Sequence, residues 1–186
     1  MACASEVRVT PMDVTWSGSS IGITQGDIEF PISEDQVDVT AHQFGTTVLT
    51  QIRTGRPLQE ITITLLDTSP ARLKQIFGPA NFVGQASGAT GTETVLGFGT
   101  SKDFLNVTAQ AAKLVLHPRN KAASDRSEDW AAWKAYPVPT SITFSGENAS
   151  TAEVTFRLFL DCDKAPEFGM YVYGDHLNGD FSAVDS

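Results

Sequence analysis

The sequence predicts a mainly β chain, an antiparallel β-sandwich or barrel with one short α-helix and long loops. Apolar and polar residues alternate with a period of two in several segments, turn residues separate those segments, and only one stretch carries a helical stripe. The clearest strand is Gln59 to Leu66, where Ile61, Ile63 and Leu65 share one face and Glu60, Thr62 and Thr64 the other. From Thr151 to Asp161, Ala152, Val154, Phe156, Leu158 and Leu160 oppose Glu153, Thr155, Arg157 and Asp161. Val37, Val39 and Ala41 alternate with Asp38, Thr40 and His42. Shorter candidates are Met12 to Trp16, Ile21 to Ile23, Asp27 to Phe30, Val48 to Thr54, Lys113 to His117, Trp130 to Tyr136, Ser141 to Phe144 and Met170 to Tyr173. Ser17-Gly18-Ser19-Ser20 reads as the turn of a first hairpin, and Phe44-Gly45-Thr46-Thr47 as the tip of a longer one.

The helix follows Asp67. Thr68 or Ser69 can cap it, Pro70 suits its first turn, and Leu73, Ile76 and Phe77 form an i, i+3, i+4 core face. Gly78-Pro79 stops it. Arg72 stands where a capping box takes Glu or Gln. One domain spans 1–186, with an N-terminal arm at 1–10, a long Gly-rich loop at 78–101 and a C-terminal tail at 176–186. A second irregular stretch, 118–129, reads as a solvated loop.

Composition narrows the function. The 186 residues are 41% hydrophobic, and 13 Lys and Arg face 22 Asp and Glu, a net charge of −9. That argues against a protein gripping nucleic acid through a basic surface. The longest apolar runs fall far short of the roughly 20 residues of a membrane helix, and Met1 to Glu6 lacks the charged-then-apolar order of a signal peptide. Cys3 and Cys162 cannot build a disulfide framework. The expectation is an acidic, soluble domain made in the cytosol.

Catalytic chemistry finds little purchase. Gly18-Ser19-Ser20-Ile21-Gly22 matches a nucleophile elbow in letters, but that motif needs a helix after it and Ile23-Thr24-Gln25-Gly26 reads as strand and turn. His42, His117 and His176 show no metal-ligand spacing, and Asp161-Cys162-Asp163 and Asp175-His176 read as acidic turns. Glu34, Asp35 and Asp38 lie where solvated carboxylates are routine, and the glycines between 84 and 99 precede no Gly-Lys-Ser/Thr. Trp130 and Trp133, three apart on a strand, point to opposite faces and make no sugar platform. The expectation is a protein that is not an enzyme and takes no cofactor or metal; a carbohydrate-binding, lectin-like module is the alternative.

Several segments, in order, resemble the major tail (tail tube) proteins of long-tailed bacteriophages. Val14-Thr15-Trp16-Ser17-Gly18 with Ile21-Gly22-Ile23-Thr24-Gln25-Gly26-Asp27-Ile28 is similar to their opening. Val37-Asp38-Val39, Gln43-Phe44-Gly45-Thr46-Thr47-Val48 and Gln51-Ile52-Arg53-Thr54-Gly55 resemble a Val-Asp…Gln-Phe/Tyr-Gly-x-Thr-Pro…Thr-Gly signature, with Val48 in place of Pro. Ile61 to Ser69 with Leu73 resembles their strand-then-helix block, Leu114-Val115-Leu116-His117-Pro118 with Ser127-Glu128-Asp129 a later segment, and Val154-Thr155-Phe156 and Tyr171 to Asp175 the last strands. The glycine-rich stretch 84–99 has no counterpart.

The resemblance implies a structural virion protein that forms stacked hexameric rings, the tube through which the genome is delivered. Its partners would be further copies of itself and other tail proteins (tape measure, tail terminator, baseplate or tip). Viral DNA would pass without specific binding, and assembly would occur in the host bacterial cytoplasm before residence in the virion tail. In such a tube one sheet face lines the bore, and Asp38, Thr40, Glu60, Thr62 and Thr64 are the candidates here. The tip Phe44-Gly45-Thr46-Thr47 is the candidate for reaching the next ring, because an exposed Phe beside Gly is otherwise a liability.

Overall fold

A computed structural model describes residues 10–30, 33–40, 47–56, 59–77, 82–87, 92–98 and 104–182. The strands are β1 (Met12–Trp16), β2 (Ser19–Ser20), β3 (Thr24–Gln25), β4 (Asp35–Thr40), β5 (Val48–Gly55), β6 (Gln59–Leu65), β7 (Phe82–Ser87), β8 (Thr92–Phe98), β9 (Ala112–Pro118), β10 (Trp130–Thr143), β11 (Thr151–Phe159) and β12 (Tyr171–Tyr173). The helix α1 spans Pro70–Phe77, and a 3-10 turn covers Thr108–Gln110. The chain is mainly β, and every strand pairing is antiparallel.

Eight strands form one sheet in the order β2-β1-β9-β10-β11-β6-β3, with β12 added beside β10. Its shape follows from chain length. Laid flat, the six spacings along that path would hold β2 and β3 about 29 Å apart. Only three residues separate Ser20 from Thr24, a reach of about 14 Å. The sheet therefore curls over on itself, and the alternating apolar residues meet inside. Val14, Trp16, Ile61, Ile63, Leu65, Leu114, Leu116, Val154, Phe156 and Leu158 are all buried in one cluster. Trp16 is held further by its Nε1–H, which donates to the carbonyl of Ala135 at 2.9 Å.

The first hairpin turn has Ser17 at φ 51° and Gly18 at φ 77°, the two positive values of a type I′ turn, whose twist matches its strands. Ile21 to Ile23 is not a strand. Gly22 adopts φ +100°, and a Cβ there would meet Arg72 Nε at 3.3 Å. These three residues carry the chain from one margin of the sheet to the other, with Ile21 N–H bonded to the Val14 carbonyl and Leu66 N–H to that of Ile23. Asp27 to Phe30 is also outside any strand. Gly26, at φ +79°, turns the chain before it, yet Ile28 and Phe30 still pack on the core.

Helix α1 plugs one end of the curled sheet with Leu73, Ile76 and Phe77. Asp67 Oδ1 accepts the Ser69 N–H at 3.0 Å, and the hydrogen bonds from Ser69 hold the Asp67 carboxyl below the usual range. Arg72 reaches sideways, donating to the Ser20 carbonyl and to Gln75 Oε1 at 2.7 Å, so the residue that spoils a capping box ties the helix to the first hairpin. The end of β1 and the start of β9 lie at this α1 end, since Trp16 pairs with Leu114; Met12 and Pro118 lie at the far end.

Two expected breaks turn out to be strand. β10 runs unbroken through Pro137 and Pro139. Both prolines pair with β11 beyond Ala135, where β9 no longer pairs on the other margin, so a missing N–H leaves no ladder bond unmade there. Within 78–101, expected as one long loop, β7 and β8 form a hairpin. The β-branched Thr92, Thr94 and Val95 favour it, and the surrounding glycines hide that preference. Most residues of the expected C-terminal tail also have defined places: Phe181 accepts the Ala165 N–H at 2.9 Å, Lys164 bridges Ser182, and His176 is buried.

Candidate functional site

The outward residues of β6, β11 and the second half of β10 form one polar face. The register sets Glu60 beside Arg157, Thr62 beside Thr155 and Thr64 beside Glu153. Glu60 Oε1 accepts from Arg157 Nε at 2.9 Å, and Thr155 Oγ1 lies 3.1 Å from both Thr62 Oγ1 and Thr140 Oγ1. A groove of about 370 Å³ beside it is walled by Asp27, Glu29, Glu60, Thr62 and Thr64. Among the described residues, Glu60 and Glu153 share this face with Arg157, Asp27 and Glu29 wall the groove beside it, and Thr62, Thr155 and Thr140 bond to one another. The face has the chemistry of a wetted, weakly acidic wall.

Asp38 and Thr40 lie apart from that wall, on a separate two-stranded ribbon of β4 and β5. Every residue of β4 is exposed. Pairing of Val37 with Ile52 and of Val39 with Thr50 puts Val37, Val39 and Ile52 on one face, all exposed, while Val48, also exposed, pairs with Thr40 past a register shift. On the other face, Gln51 Nε2 donates to Asp38 Oδ1 at 2.8 Å, and at the root Arg53 pairs with Glu34 at 3.3 Å. Such a ribbon leaves an apolar face and backbone margins unsatisfied. The sequence pattern of β4 contains this amphipathic face, but only the absence of a covering layer among the described residues shows that it is solvent-facing. Of the expected hairpin tip, Phe44, Gly45 and Thr46 lie outside the described residues, and Thr47 is exposed.

Ser20 sits in β2, its Oγ accepting the Gly22 N–H at 3.2 Å, in a hairpin and not a strand-to-helix elbow. Trp130 and Trp133 serve different layers: Trp130 stacks on Phe30 at 4.0 Å, whereas Trp133 meets Phe181 and two lysine ammoniums, those of Lys113 and Lys164. The sequence reading missed the buried cluster under the C-terminal segment. Asp129, fully buried, lies 2.6 Å from His117 Nδ1, 3.2 Å from Arg126 and 3.5 Å from His176 Nδ1. Burial, reinforced by Lys113, pushes the His176 imidazole below its usual value. Among the described residues no group of three or more His, Cys, Asp or Glu is arranged to hold a metal ion, and no helix is long and apolar enough to cross a membrane.

No family model matches the chain, and no curated protein is similar to it in sequence. Its fold is similar to that of a chain in the extended-state sheath/tube terminator of an extracellular contractile injection system, PVC, with a TM-score of 0.53 and 14% identity over 84% of this chain and 94% of that one. A chain of the extended sheath–tube complex of that system gives a TM-score of 0.50 and 13% identity over the same shares. A chain of the anti-feeding prophage cap (AFP tube terminating cap) gives 0.46 and 13%, again over 84% and 94%. At these identities the likeness is one of fold.

Proposed function

We propose that the chain is the tube subunit of a phage-type tail: copies close into hexameric rings, the rings stack, and the acidic threonine face lines the bore through which the genome passes. The observation that carries this is the β4–β5 ribbon, whose apolar face and open margins a lone subunit leaves in water. A second copy supplies both missing partners, and a head-to-tail contact closes into a ring when its rotation permits. The fold likeness to chains of contractile injection systems supports the same reading. So does charge. A wall with an excess of carboxylates repels phosphate and releases no counterions to it, so a duplex slides instead of sticking. Other tail proteins would join at the two ends of the stack.

The test uses Ile52→Asp. Because Ile52 is 54% exposed in the subunit, its thermal midpoint should move by no more than about 0.5 kcal/mol in equivalent stability, while sedimentation shows polymer replaced by single subunits. Polymer in undiminished amount would contradict the reading. A terminator ring is the second reading, favoured by the likeness to a chain in a sheath/tube terminator; it differs in stopping at one ring.

A further inference from the structure

The far end of the curled sheet holds an aromatic hollow of about 280 Å³, bounded by Met12, Ile28, Phe30, Leu116, Trp130 and Tyr173. Phe30 covers one side of the Trp130 indole at 4.0 Å between ring centroids. Tyr171 and Tyr173 tilt against it at 5.2 and 5.5 Å. Tyr173 is 61% exposed, at the mouth. The hollow is large enough for one more aromatic side chain and offers the tilted ring edges and faces that such a chain prefers.

The segment leading into β9 carries a side chain of that kind. Phe104 is fully exposed and holds φ +63°, a left-handed conformation that a bulky residue adopts at a cost. The loop behind it is fixed: the Asn106 side chain accepts the N–H groups of Thr108 at 3.1 Å and Ala109 at 3.3 Å, setting the 3-10 turn that leads into β9 at its α1 end. The chain thus presents a phenyl ring in water, on a strained but anchored base, and the subunit alone recovers nothing from it.

Building on the tube reading, we propose that Phe104 of one copy seats in the Trp130–Tyr173 hollow of the next. Phe104 precedes the start of β9 in the chain and the hollow lies at the Pro118 end of that strand, so every copy offers one of each, and a head-to-tail series satisfies both at every contact. A small ligand or an unrelated peptide would fill the hollow but leave the phenyl ring stranded. A second copy resolves the two exposures together, which is why it is the occupant.

The experiment compares polymerisation thresholds of the full chain, Phe104→Gly, Tyr173→Ala and the double variant by sedimentation, with thermal midpoints alongside. Phe104→Gly removes the ring and relieves the positive φ. Its midpoint should stay level or rise while its threshold rises about tenfold or more. Tyr173→Ala should raise the threshold too, and the double variant should be no worse than the worse single one, because both remove one contact. Phe104→Gly polymerising at the threshold of the unaltered chain overturns the proposal, as do additive effects in the double variant. A loss confined to Tyr173→Ala means that another segment fills the hollow and equally overturns it. An unaltered chain that never polymerises removes the tube reading itself.

Discussion

His176 couples the C-terminal segment to the body through a buried and electrostatically divided setting. Lys113 and Arg126 disfavour its proton, Asp129 and Asp175 favour it, and burial decides the balance downward. A folded value below the unfolded one means that the unfolded chain takes up the proton more readily. The neutral imidazole therefore contributes stability in full above about pH 6.5, the unfolded value, and that contribution is lost as the pH falls below it. Thermal midpoints measured between about pH 7 and 5 should drop, and His176→Asn should flatten the slope; a variant with the slope of the unaltered chain contradicts this assignment. Asp129 clasps the segment locally, since its carbonyl accepts the Gly174 N–H at 2.8 Å and its buried carboxylate, which gathers His117 and Arg126 at bonding distance, lies 3.5 Å from His176 Nδ1. Nothing in the spacing of residues 117, 126, 129 and 176 announces that cluster. It forms because β9 and β10 pair and the chain returns over their outer face, which no local pattern records.

At the scale of elements, local chemistry was legible wherever one face is buried. The period-two pattern of β6 and β11 and the stripe of α1 lie in the core because burying them outweighs competing conformations. Ile76→Ala should cost about 2–5 kcal/mol, read from denaturant unfolding, against under about 0.5 kcal/mol for Val37→Ala on the exposed ribbon. Equal costs would mean that α1 does not seal the core. Prediction from sequence failed where tertiary pairing overrides propensity. Ile21 to Ile23 has strand residues, yet the jump between sheet margins and the close approach of Arg72 to Gly22 make it a crossing. Pro137 and Pro139 look like breakers, yet they stand where one margin is free. On the polar face, Glu60, Thr62 and Thr64 were visible as a set. Arg157 and Thr140 were not part of it, because cross-strand register cannot be read from one strand. The paired substitution Glu60→Lys with Asp38→Lys tests whether that face, and separately the polar side of the ribbon, line the bore: rings should still form while genome ejection slows. Ejection at the unaltered rate removes both residues from the bore wall.

For the whole molecule, a curled, plugged sheet is self-sufficient, whereas the ribbon beside it is not. One part buries a closed core; the other exposes Val37, Val39, Val48 and Ile52 in a sheet of two strands, too few to be stable alone. That imbalance is the physical reason to regard the chain as a component of an assembly, and the acidic balance of −9 suits a conduit better than a grip on DNA. The most direct measurement is a cryo-electron-microscopy reconstruction of the concentrated chain. The account predicts hollow tubes of stacked rings in which the ribbon's apolar face is covered by a neighbouring copy and Glu60, Thr62 and Thr64 face the bore. Particles that remain single at every concentration, or tubes whose ribbons stand free in solvent, would contradict it.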